Sequence, residues 1–229
     1  MVDHNRQALS RLLQLASPML PVGAYSYSQG LEWAIESGDV IDLKSAQLWI
    51  ADVLASYQTS FELPMLLRLY RAWQQDDMHA VADWDAQYQA GRDSAEALAE
   101  SRQMGYSLRR LLQDVGELPS EFIARINQLD APAFPAIYAG VCHVWQISEQ
   151  DMLHAYAWSW AENQVSAAMK TVPLGQVAGQ KILLHIGSSL AAQIKRAMQL
   201  PDDEISNFCP ALTIAACKHE TQYTRLFRS

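Results

Sequence analysis

Serine, lysine and histidine stand in this chain at spacings that invite three chemistries, and each set lacks a component. A hydrolase elbow needs glycine two residues either side of its serine. Ser26 and Ser28 lie between Gly23 and Gly30, but the upstream glycine positions hold Ala24 and Ser26. Ser28-Gln29-Gly30 therefore reads as a loop or helix-cap serine. Phosphate binding needs G-x-x-x-x-G-K-[ST], so that backbone amides wrap the phosphates and a hydroxyl reaches magnesium. Gly175-Gln-Val-Ala-Gly179-Gln180-Lys181-Ile182 has the wrong spacing and Ile182 in the hydroxyl position. Two glycines four apart suit instead a helix face that a neighbouring backbone approaches. The histidines His4, His79, His143, His154, His185 and His219 include no pair spaced to aim two imidazoles at one metal. Glu32 and Glu162 sit among apolar neighbours, a pattern that suits a structural or partner-facing ion pair better than an acid/base pair.

Composition narrows the partners. Lys and Arg number 17 against 25 Asp and Glu, a net charge of −8, which argues against an electrostatic grip on nucleic acid or an anionic membrane. Cys142, Cys209 and Cys217 are an odd number without a C-x-x-C pair, so neither a disulfide framework nor a zinc site is expected, and a reducing, cytoplasmic home follows. The apolar stretch 12–20 contains Pro18 and has no small-x-small cleavage pattern after it. The run 172–194 is interrupted by Gln176, Gln180, Lys181, His185 and Gln193. Neither reads as a membrane segment.

The elements that must carry these residues are helical. Apolar residues recur at helical spacing, with no strict alternation between hairpin turns, so an all-α, single-domain helical bundle with a flexible C-terminal tail is expected. Residues 6–16 form an apolar stripe that ends before Pro18, Pro21 and Gly23. A short helix over 28–36 closes at Gly38, and Asp42 caps the next, which Pro64 kinks or restarts. Asp93 to Glu96 has capping-box spacing before a helix to about Asp114. Ser148 caps a long helix to Lys170, another runs over 176–199, and the acidic run 202–204 marks the start of the last helical stretch. The body is thus 1–218. The tail, 219–229, mixes Tyr223, Leu226 and Phe227 with Arg225 and Arg228, anchors suited to folding upon binding.

Three segments are long and non-generic: Leu13 to Ala34 (LQLASPMLPVGAYSYSQGLEWA), Ala168 to Gln180 (AMKTVPLGQVAGQ) and His219 to Ser229 (HETQYTRLFRS). On these the sequence resembles the urease accessory protein UreF family, with Tyr25 at a position where that family also carries phenylalanine. The resemblance implies a dimer-forming, all-α chaperone without catalytic residues or a metal site of its own. It would bind UreD (also called UreH) and recruit the GTPase UreG, coupling GTP hydrolysis to nickel delivery into apo-urease. No cofactor would be held stably, and nickel would be handled in transit by the complex. By motif match, the partner-binding residues would be Tyr25, Ser28, Glu32, Lys170, Pro173, Leu174, Gly175, Gln176 and Gln180. In the tail, Arg225, Leu226, Phe227 and Arg228 would order on UreD. The alternative is a small all-α hydrolase or metal-dependent enzyme using the Ser26/Ser28 cluster.

Overall fold

Prolines and short polar side chains set most of the helix boundaries. The structure, a computed structural model, describes residues 2–229, with side chains from Arg6 onward. Helix α1 (Val2–Ala16) stops ahead of Pro18, and a 3₁₀ turn (Ala24–Ser26) leads into α2 (Leu31–Glu36). Asp42 starts α3 (Leu43–Val53): its carboxylate accepts from Ser45 N at 2.8 Å, and the Ser45 hydroxyl accepts from Asp42 N at 3.0 Å. That reciprocal cap is worth about 1 kcal/mol. The chain continues through α4 (Leu63–Gln74), α5 (Met78–Ala90), α6 (Ala95–Val115), α7 (Ser120–Gln128) and α8 (Phe134–Val144). The long helices α9 (Glu149–Thr171) and α10 (Gln176–Gln199) precede α11 (Pro210–His219). Among the described residues all regular structure is helical.

Helix α4 is the strut of the core. Leu63, Leu66, Leu67 and Leu69 are fully buried on it, and it packs against α5, α8, α9 and α10. Truncating any one of them to Ala should cost about 2–5 kcal/mol. α6 crosses α8, α1 lies along α9, and α2 is held between α9 and α11.

Several expectations are corrected in detail. Pro64 stands in the first turn of a new helix, α4, in line with the restart, but the segment before it, Leu54–Glu62, is a π-helix that the sequence reading did not include. The Thr59 hydroxyl donates to the Leu54 carbonyl five residues back at 2.8 Å, which supports the wider turn. Pro64 has no amide to give the Ser60 carbonyl, and Ser206 N donates to it instead at 3.0 Å. The cap of α6 is Ser94, whose Oγ accepts from Ala97 N at 3.1 Å; Asp93 turns away to Asn207 and Thr213. The acidic run 202–204 makes only a 3₁₀ turn, and α11 begins at Pro210. Helices α5, α7 and α8 have no counterpart in the sequence reading. In α5 the buried stripe is Val81, Asp85 and Tyr88, with a carboxylate where an apolar residue would mark the period. In α8 residues Phe134 to Cys142 are all buried, which erases polar/apolar periodicity.

Candidate functional site

The tail, expected as a loose end, lies packed across the Pro-Gly-Ser segment. Arg228 N donates to the Ser26 carbonyl at 2.9 Å. The Ser229 carbonyl accepts from Ser28 N at 2.7 Å, Gln29 N at 3.0 Å and Ser28 Oγ at 2.6 Å. The Glu32 carboxylate accepts from Leu226 N at 2.6 Å and Phe227 N at 3.0 Å. His219, fully buried at the end of α11, sets one ring nitrogen 3.1 Å from Glu32 and the other 2.7 Å from Glu96. Arg225 also reaches Glu96, at 2.5 Å. Phe227 is buried, with the Lys170 ammonium 5.5 Å from its ring centroid. Mixed polarity, which suggested mobility from sequence, supplies here the partners for two carboxylates.

The receiving loop is shaped by its backbone. Gln29 and Gly30 have φ of 54° and 82°, both left-handed. Gly30 is the tighter constraint, because a Cβ there would stand 2.9 Å from Ala216 N of α11. Helix α9 carries the loop's outer carbonyls: Asn163 Nδ2 donates to Tyr27 O at 2.9 Å and Gln164 Nε2 to Ser28 O at 3.2 Å. Gln29 joins loop to core, accepting from Trp160 Nε1 at 2.8 Å and donating to Glu100 at 2.7 Å. Ser229 Oγ donates to the same Glu100 carboxyl at 2.7 Å, and burial pushes that carboxyl above its ordinary range.

The singled-out residues thus divide into two groups. Ser28, Glu32 and Phe227 are interior: they hold the tail to the body and offer no side chain to a partner. Lys170, Pro173, Gly175, Gln176 and Gln180 are exposed around the α9–α10 junction, with Leu174 half-buried. Tyr25 is half-buried, its hydroxyl pushed up by burial and by the Glu162 charge. In the tail Arg225, Leu226 and Arg228 face outward. The paired glycines are not equivalent: Gly175 caps α10 in open space, and only Gly179 is crowded, by the Met169 and Val165 side chains of α9. Sequence reasoning missed Glu96, Glu100, His219, Asn163 and Gln164 as parts of the site. Asn163 and Gln164, side by side on a helix that is otherwise mostly apolar inside, were the readable signal.

The geometry bears on chemistry as well. Ser28 Oγ donates to Ser229 O and accepts from Glu32 N at 3.2 Å, so its proton is committed to a carbonyl and not to a base. Among the described residues no group of three or more His, Cys, Asp and Glu could hold a metal ion. His4 lies outside the residues whose side chains are described. No helix of the structure is long and apolar enough to cross a membrane.

What the fold and surface define is a helical protein with a packed tail beside an exposed loop. The family model for UreF matches residues 40–187. A protein of Methylobacillus flagellatus named urease accessory protein UreF is 66% identical over 97% of this chain and 98% of its own length. Proteins of the same name from Dechloromonas aromatica and Azoarcus sp. are 49% and 51% identical, each over 96% of this chain and 97% and 95% of their own. The class is therefore that of urease accessory proteins. This chain belongs to the UreF family.

Proposed function

We propose that this protein is a non-catalytic chaperone of nickel insertion that bridges UreD/UreH and the GTPase UreG, so that GTP hydrolysis is coupled to nickel delivery into apo-urease. It works in the cytoplasm as a homodimer and holds no cofactor of its own; nickel is cargo of the complex. The observation that carries this reading is the continuity of two elements. Lys170 closes α9 against Phe227 of the packed tail, and the same stretch of chain then runs outward through Pro173 to Gln180 on the open surface. Strip and tail thus adjoin, so two partners seated on them lie side by side. UreG is positioned by the Lys170–Gln180 strip, with Lys170 acting as an interface point charge. UreD takes the outward side chains Arg225, Leu226 and Arg228.

The test is co-purification with UreD and UreG, with and without GTP and nickel, followed by activation of urease in cells. Lys170→Ala is expected to fold normally and to yield poorly nickel-loaded urease. Full nickel occupancy in that strain would remove Lys170 from the mechanism.

A further inference from the structure

The last residue of α11 is an imidazole whose contacts fix how many hydrogens it holds. His219 is fully buried, with Nε2 3.1 Å from Glu32 Oε2 and Nδ1 2.7 Å from Glu96 Oε2. A neutral imidazole has one N–H and one bare lone pair, and an ionised carboxylate can only accept. With a single hydrogen, one of the two contacts would set lone pair against lone pair. The bridge therefore needs two hydrogens, one along each contact, and is an imidazolium between carboxylates. The other carboxylate contacts are donors from the tail: Leu226 N and Phe227 N to Glu32, and Arg225 to Glu96 Oε1 at 2.5 Å. Glu32 and Glu96 thus act as acceptors throughout.

Charge and connectivity make this ring more than a packing group. The charged side chains around it are Glu32 from α2, Glu96 from α6 and Arg225 from the tail, so imidazolium and guanidinium balance two carboxylates. Beyond them the tail meets Glu100 of α6 through Ser229 and Lys170 of α9 through Phe227, while Glu220 accepts from Ala95 N at 2.7 Å. The two carboxylates joined by the ring are also the ones that bind Arg225, Leu226 and Phe227. Loss of one hydrogen removes a charged hydrogen bond and leaves a negative charge uncompensated where little water reaches, a strongly unfavourable state. The carboxylates regain solvation when the tail lifts. Imidazole is the side chain whose charge ordinarily changes between about pH 5 and 8. We propose that His219 is a proton-operated catch for the tail. Charged, it clamps α2 to α6 and holds residues 225–229 on the body; neutral, it lets them go. Seating of the tail takes up a proton, so the seated population is largest at low pH and falls as pH rises. The inference is independent of which partner takes the tail.

The full chain is used throughout. Tryptic cleavage after Arg225, divided at each pH by cleavage of a free peptide of residues 219–229, reads the lifted tail. This quotient is expected to rise about tenfold from about pH 6 to about pH 9. His219→Gln keeps a donor for one carboxylate but cannot titrate, so its quotient should stay at the parent's alkaline level over the whole range. Glu96→Gln works in the opposite sense. Its amide oxygen can accept from Arg225 and its N–H can donate to the bare nitrogen of a neutral ring. The tail of that variant should therefore stay seated, with a low quotient, up to about pH 9. A constant quotient in the parent would overturn the assignment. So would a full rise in His219→Gln, which would place the proton elsewhere, Glu100 included, or an undiminished rise in Glu96→Gln.

Discussion

Glu32 shows how one side chain can carry a function that its type does not announce. A carboxylate in apolar surroundings could have met a partner's cation, yet both its oxygens are used by tail amides and by His219. Hydrogen bonds to a charged group contribute about 1.5–3 kcal/mol each. Glu32→Gln keeps one acceptor and removes the charge, and should lower stability by about 2–3 kcal/mol in urea denaturation. Tryptic cleavage at Arg225 should accelerate while helical circular dichroism stays unchanged; equal cleavage rates would show that Glu32 does not hold the tail. Glu100 gives a pH dependence. Burial raises its carboxyl, against the hydrogen bonds from Gln29 and Ser229 and the Arg92 charge. The folded chain therefore binds this proton more tightly than the unfolded one. Its contribution to stability is full below the ordinary carboxyl value of about 4.3 and is lost as pH rises through the raised folded value. Glu100→Gln removes that titration, so the stability of the variant relative to the parent should improve from pH 4 to pH 7. A flat or opposite difference between denaturation curves would contradict a raised Glu100.

At the scale of elements, helix ends were legible and their company was not. Asp42, Ser148 and Pro173 gave the bounds of α3, α9 and α10 because caps and prolines act within one turn. Helices α5 and α8 escaped because a buried Asp85 breaks one apolar stripe and full burial removes the polar face of the other. The π-helix was hidden for a similar reason: its support comes from the Thr59 hydroxyl and from Ser206, far along the chain. The seat of α11 on α2 rests on Gly30. Gly30→Ala would force a Cβ into a left-handed backbone and against Ala216 N, and should cost about 2–4 kcal/mol. Hydrogen exchange should report the loss first in α11, and protection of α11 equal to the parent would refute this account.

For the whole molecule, the sequence supplied the fold class, which follows from local pattern, whereas the strip from Lys170 to Gln180 was singled out only through the family resemblance. The sequence could not supply the pairing of tail and loop, because Ser28 and Ser229 are 201 residues apart and no spacing encodes their contact. The same pairing fixes what removal of the tail should do. A chain ending at Glu220 should keep its helical circular dichroism and lose co-purification with UreD, and an intact complex would show that the tail is dispensable for docking. Long separation also has a temporal side. At about 5–20 residues per second, a ribosome needs roughly ten to forty seconds to travel from Ser28 to the residues that satisfy it. Throughout that interval Glu32 and the loop amides must be solvated or guarded by whatever attends the nascent chain. This surface therefore waits on the synthesis of residues 219–229, and a nascent chain that has not reached them cannot present it.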